Sequence, residues 1–248
     1  MFLYTTSMSN TKKGEGNIGA VTKGEQYRAV NELFDRSQAN STYFAALILS
    51  SVIISCGLLL DNSAVVIGGM LVAPVLTPLL TVGLGIAVGE ISAIRAQISL
   101  LFKSFILVIG VAFFFSILLG GPNEHFIFED TARAAILYFA VATASGAAAT
   151  FAWVRKEMSE ALPGIAIAVS IVPPLALVGI WLSKLNLEIS RYFIQVFLFN
   201  LFGIIVGSVV VFSYLKFYRV EKRVETIEAE KEAEQLVNDL AATKVMVE

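Results

Sequence analysis

Val72-Ala73-Pro74-Val75-Leu76-Thr77-Pro78-Leu79 decides the fold, because it sets two prolines inside an apolar stretch of bilayer length. A second stretch, Ser170-Ile171-Val172-Pro173-Pro174-Leu175, carries the same interruption further on. A shift of 96 residues lays Pro78 on Pro174, Leu79 on Leu175, Val82 on Val178 and Gly83 on Gly179. The stretches that follow agree at nearly the same shift, Phe105 with Phe202 and Gly110 with Gly207. Proline removes a backbone donor and frees the carbonyl four residues before it, which lipid cannot satisfy. Paired broken segments in corresponding halves of a chain point to a membrane transport site at the bilayer midplane.

The composition fits that setting. Of 248 residues, 56% are hydrophobic and 15% charged, and the mean hydropathy is +0.76. Soluble domains run near 45–50% apolar and about 25% charged, so this is an integral membrane protein. The charges lie outside the apolar blocks, and no basic or aromatic-basic stripe points to nucleic acid. Cys56 is the only cysteine, which excludes an internal disulfide and a cysteine metal cluster. His125 is the only histidine, a poor basis for histidine acid–base or zinc chemistry. The expectation is therefore a non-enzyme with no catalytic residue, no metal and no cofactor. No cleavable leader is expected, since Met1–Ser7 is too short for an apolar signal core and Thr11–Asn40 is polar.

Six stretches are long enough to cross a bilayer: Tyr43–Leu60, Ala64–Gly89, Ser104–Gly120, Ala134–Trp153, Ala161–Leu182 and Tyr192–Leu215. Fifteen of the 18 Lys and Arg residues fall on the side of the two termini, and Arg133, Lys184 and Arg191 on the other. That bias predicts cytoplasmic N and C termini in the plasma (inner) membrane of a bacterium or archaeon. The domain reading is a cytoplasmic N-terminal segment at 1–41, a six-span membrane domain at 42–216 with halves 42–120 and 133–216, and a cytoplasmic helical tail at 217–248. Three spans per half is an odd number, so a duplicated half inserts upside down. The fold class expected is all-α, six transmembrane helices in an inverted repeat of two three-helix halves, each with a proline-broken second helix.

Two flanking segments read as amphipathic interfacial helices. In Glu25–Asn40, Tyr27, Val30, Leu33 and Phe34 share one face opposite Glu25, Arg28, Glu32 and Arg36. In Glu90–Lys103, Ile91, Ile94, Ile98, Leu101 and Phe102 do the same. The tail places Phe217, Val220, Val224 and Ile227 at heptad spacing for under two repeats. It reads either as a solvated extension of span six or as an oligomerisation helix. Gly203-x-x-x-Gly207 offers a close-packing surface in span six, and together with the tail it predicts a homo-oligomer.

No Asp, Glu, Lys, Arg or His falls in the middle of a span, which weighs against a carboxylate proton relay. What remains for an ion or polar solute is backbone carbonyl and hydroxyl oxygen. The candidate path is Pro74, Thr77, Pro78 and Thr81 in span two, Ser170, Pro173 and Pro174 in span five, and Asn200 in span six. Asn62 and Ser63 stand at the outer mouth beside Asp61, with Glu90 and Glu160 at the inner mouth. The structural alternative is plain in each case: kinking prolines whose carbonyls are satisfied by neighbouring Ser and Thr, an Asn62 or Ser63 N-cap, and an Asn200 bridge between helices.

The run Asn62-Ser63-Ala64-Val65-Val66-Ile67-Gly68-Gly69-Met70-Leu71-Val72-Ala73-Pro74, followed by Ile171-Val172-Pro173-Pro174-Leu175, resembles a family of hydrophobic-domain membrane proteins of bacteria and archaea. These form the domain of unknown function 389 family. The resemblance covers about residues 40–215, with Gly69 standing where the family pattern has Ala. It implies a multi-pass prokaryotic membrane protein and no particular substrate. The functional expectation rests on the residues: a channel or secondary transporter for a small ion or polar solute, surrounded by membrane lipids. The alternative is a non-transport scaffold that binds lipid or senses stress.

Overall fold

The computed structural model describes residues 21–120, 131–155, 158 and 171–220, with the single positions 226, 229 and 233. These residues form eight α-helices and a final 3-10 turn, with no strand among them. The helices are α1 Lys23–Arg36, α2 Ser41–Leu59, α3 Ser63–Val72, α4 Leu76–Val88, α5 Ile91–Leu119, α6 Thr131–Val154, α7 Val172–Ser183 and α8 Leu187–Tyr214. Four of them are long and apolar enough to cross a membrane: α2, α5, α6 from Ala135, and α8. The broken pair α3 and α4 makes a fifth if counted as one span, and α7 is a shorter apolar helix. Large apolar side chains such as Ile106, Phe114, Ile117, Ile136 and Phe202 stay exposed, the surface a lipid-facing bundle presents.

Span two breaks where its prolines predict. Ala73 leaves the helix with extended backbone before Pro74, as a residue preceding proline must, and α3 and α4 meet at 57°. The break leaves α3 antiparallel against α2 while α4 turns toward α5 and α8. The connector expected as a separate interfacial helix at Glu90–Lys103 is instead the first part of α5, one unbroken helix to Leu119. Nothing between Ile91 and Ile109 is Pro or Gly, so the helix has no reason to stop at the membrane surface. At about 43 Å it exceeds the hydrocarbon thickness.

The two ends of the chain also depart from expectation. α1 does not lay its apolar face on lipid; Ala29, Val30, Leu33 and Phe34 are buried against Leu80, Leu84, Trp153, Phe212 and Phe217. Only Tyr27 of the expected apolar face is exposed. Directly after span six the described chain turns instead of running on straight. The chain turns at Leu215 and Lys216, with Lys216 at φ 60, and Phe217 packs edge-on to Phe212. Phe217 is thus spent in the bundle and not on a heptad seam. The rest of that seam, beyond Val220, lies outside the described residues.

The displacement of 96 residues found in the sequence recurs in the backbone. Gly89 and Leu185 both take positive φ, 87° and 57°. The next residue in each case, Glu90 or Asn186, donates its N–H to the carbonyl five back, Gly85 at 2.9 Å or Trp181 at 3.1 Å. The same two residues then cap α5 and α8 with their side chains. Packing repeats as well. A Cβ on Gly83 would strike the side chain of Ser208, and one on Gly179 would meet the Cβ of Ala112 at 3.0 Å. Shifting Gly83 by 96 gives Gly179, and shifting Ala112 by 96 gives Ser208. Each of these short helices thus packs on a long one, α4 on α8 and α7 on α5.

Helix direction follows from the paired positions. Gly179 lies at Ala112, and Ser183 Oγ bonds Ser116 Oγ at 2.7 Å, so α7 runs parallel to α5. A tight turn then sends α8 back the other way. Against α8 lies α6, also parallel, with Gly203 at Phe139 and Gly207 at Thr143. Those two glycines were expected as a self-association surface; α6 of the same chain already covers them. Both face backbone atoms at a distance that leaves no room for a side chain.

This packing yields a direct expectation for stability in detergent. Gly207→Ala puts a methyl group on the carbonyl of Thr143 and is expected to cost about 1–3 kcal/mol, the usual penalty for overpacking. Gly110→Ala, which faces open space, should leave the melting temperature near that of the native protein. Thermal melts of both variants in one detergent check the pair, and equal melting temperatures would remove the close α6–α8 contact.

Candidate functional site

The carbonyls released around Pro74 find partners inside the chain. Ser50, wholly buried on α2, donates its hydroxyl to Gly69 O at 2.8 Å. Met70 O accepts from Ala73 N at 3.3 Å. Thr77 Oγ1 lies 3.4 Å from Pro74 O and 3.3 Å from Arg36 O, the last carbonyl of α1. One turn on, the buried Thr81 donates to Thr77 O at 2.9 Å and sits 3.3 Å from Ser37 Oγ. Thr77 and Thr81 thus form a hydroxyl ladder on α4 that the end of α1 covers.

The surroundings of the two proline interruptions are apolar. Val75, Leu79, Ile171, Val172 and Leu175 are all buried, and they join one core with Leu47, Ile54, Leu100 and Ile204. Pro78, Pro173 and Pro174 are buried, and Pro74 is half-buried. Asn200 is buried on α8. Ser170 and Glu160 lie outside the described residues, so the hydroxyl expected beside Pro174 has no position here.

Two of the mouth residues, Asn62 and Glu90, are helix caps. Asn62 Oδ1 accepts from Ala64 N at 3.1 Å and Val65 N at 3.2 Å, closing the first turn of α3. Ser63 is the first residue of that helix, and Asp61, exposed at φ 50, forms the turn before it. Glu90 accepts from Ser92 N at 3.3 Å and Ser92 Oγ at 2.7 Å at the start of α5. An amide or carboxylate so placed satisfies backbone donors that would otherwise be orphaned.

Several polar residues of the site escaped the sequence reading. Thr150 on α6 bonds Ser208 Oγ at 3.0 Å where α4, α6 and α8 meet at Gly83. From α1, Gln26 Nε2 donates to Leu215 O at 2.9 Å and Arg28 Nη2 to Val154 O at 2.9 Å. Each caps the carbonyl end of a long helix, α8 and α6, and the Arg28 cation also suits the negative end of the helix dipole. The Arg36 guanidinium stands 5.7 Å over the ring of Trp153. Glu25 pairs loosely with Arg155 at 3.8 Å, and its carboxyl is held below its ordinary range chiefly by the N–H of Thr22. Ser50, missed as well, lies beside Ser51 in an otherwise apolar stretch, a pattern that the sequence does show.

Length, apolar surface and packing make this a helical multi-pass membrane protein. It belongs to the family described as Domain of unknown function (DUF389), whose profile matches residues 70–206. An uncharacterized protein of Methanocaldococcus jannaschii is 27% identical over 195 residues, which cover 76% of this chain and 58% of that relative. The chain thus spans less than two thirds of the relative's length. No solved structure matches the chain. The matched region includes the Pro74 break, both hydroxyls on α4 and the prolines that open α7.

The caps make a testable distinction. Asn62→Ala is expected to destabilise the protein by about 1 kcal/mol, while Asn62→Asp and Asn62→Ser hold close to the native value. Melting curves of the three variants in detergent measure this, and indifference to Asn62→Ala would leave the amide free for another role.

Proposed function

We propose that this chain is a channel or secondary transporter for a small ion or polar solute, built from two halves that cross the membrane in opposite directions. On this reading six crossings alternate, both termini are cytoplasmic, and the protein lies in the plasma membrane of a prokaryote. It is not an enzyme. The observation that carries the reading is the reciprocal contact of Gly83 with Ser208 and Gly179 with Ala112, each pair the image of the other under a shift of 96. Contacts that exchange in this way belong to a two-fold relation between halves. Halves with an odd number of helices and broken second elements are the construction of many membrane carriers.

The path of the solute runs beside the α3–α4 break, along Thr77 and Thr81 and past Pro78 to the prolines of α7. Hydroxyl and carbonyl oxygens suit a hard cation or a neutral polar solute better than a soft metal. The apolar packing of Val75 and Leu79 with Ile171 and Leu175 then describes a closed state. The same packing favours a second reading, a sealed scaffold that binds lipid or relays stress. Self-association is part of either reading and falls to the tail or to lipid-facing edges, because Gly203 and Gly207 are spent within the chain.

Flux into proteoliposomes across a panel of ions and small solutes separates the two. Native protein is expected to pass at least one of them. Thr77→Val should lower that flux about fivefold, since one hydroxyl contact contributes roughly 1 kcal/mol. Absence of flux for every solute, or flux indifferent to Thr77→Val and Ser170→Ala, would leave the scaffold reading.

A further inference from the structure

α1 is tied to the bundle in a way that sets it apart from the membrane helices. Its seat consists of helix ends: Val154 and Trp153 at the close of α6, Leu215 and Phe217 at the close of α8, and the ladder face of α4. The polar ties from Gln26 and Arg28 go to terminal carbonyls, groups that water satisfies equally well once the helix leaves. The Glu25–Arg155 pair is partly exposed and adds little. What holds α1 is chiefly a short apolar stripe, Ala29, Val30, Leu33 and Phe34.

Between α1 and α2 the chain is non-helical for Ser37 to Asn40, and Gln38, Ala39 and Asn40 are exposed. Asn40 begins α2 by accepting from Tyr43 N at 2.8 Å, so α2 keeps its own cap without α1. This segment is therefore a hinge with no structural demand on α1. At the hinge, Arg36 O and Ser37 Oγ lie on Thr77 and Thr81, the two hydroxyls placed on the solute path.

We propose that α1 is a lid on the end of the bundle that carries it, and that Thr81, buried below the half-buried Thr77, reaches water on that side only when α1 swings away on Ser37–Asn40. Its purpose as a gate rests on the transport reading; its action as a lid does not. With α1 seated, the carbonyl ends of α6 and α8 are capped and Thr81, the inner hydroxyl of the α4 ladder, is buried. With α1 released, the two helix ends and the α4 face form an open mouth lined by carbonyl and hydroxyl oxygen.

The test is thiol accessibility in full-length protein in proteoliposomes, with Cys56→Ser as background and Thr81→Cys as reporter. A charged, impermeant maleimide is applied to the α1 face. Unseating α1 with Phe34→Asp should raise the labelling rate of Thr81→Cys at least tenfold, roughly, since it places a carboxylate in an apolar seat. The milder Gln26→Ala with Arg28→Ala, which keeps the apolar stripe and the fold, should raise it about three- to tenfold. Ile180→Cys, buried on α7, should not change in either case.

Labelling at Thr81→Cys that ignores both sets of changes overturns the lid. So does a parallel rise at Ile180→Cys, which marks general loosening. Flux measured with native Thr81 separates the two proposals. Faster labelling with faster flux supports a gate, and faster labelling with no flux for any solute keeps the lid while the transport reading falls.

Discussion

A backbone placed in hydrocarbon has no water to bond, so each carbonyl that Pro74 and Pro78 set free must find a donor within the protein. Ser50 reaches across from α2 to Gly69 O, and Thr77 turns back to Pro74 O. With those donors in place the helix can bend by 57°, and α4 can leave α2 for α8. The close approach that follows, at Gly83 against Ser208, requires a residue without a side chain. The packing of α4 on α8 thus traces back to a few serines and threonines that make a broken helix tolerable in lipid.

The two ends of the bundle are finished differently. At one end α1 supplies an amide and a guanidinium to the terminal carbonyls of α8 and α6, and its own last carbonyl shares the hydroxyl of Thr77 with Pro74 O. Near the turn at the α7–α8 end, Ser183 bonds Ser116 and Lys184 stands 5.2 Å over the ring of Trp181. The hydroxyl ladder Thr77–Thr81 and the pair Thr150–Ser208 lie in the half that α1 covers. The turns at Gly89 and Leu185 share a geometry, yet the polar groups at the two ends differ.

Much of the membrane fold was legible in the chain, because apolar length and proline position act locally. The break at Pro74 and the starts of α2 and α3 follow from residues within one turn of them. Asn62 as a cap was readable for the same reason. Long-range partners were not. Gly203 and Gly207 look alike whether they meet another chain or α6, and only the small residues of α6, Ala142 and Gly146, decide in favour of the latter. The apolar stripe of α1 reads equally well as a lipid contact, since periodicity reports that a face is buried and not by what. Thr77 and Thr81 were read as path residues, but their cover, Arg36 O and Ser37, comes from a helix 41 and 44 positions earlier.

The central claim is that the two halves stand upside down relative to each other, and equivalent helix starts test it most directly. Ile91 and Leu187 begin α5 and α8, are both exposed, and correspond under the shift of 96. In a Cys56→Ser background, Ile91→Cys and Leu187→Cys are labelled with an impermeant maleimide in right-side-out and in inverted vesicles. The account predicts that Leu187→Cys reacts only in right-side-out vesicles and Ile91→Cys only in inverted ones. Reaction of both positions from the same side would contradict it.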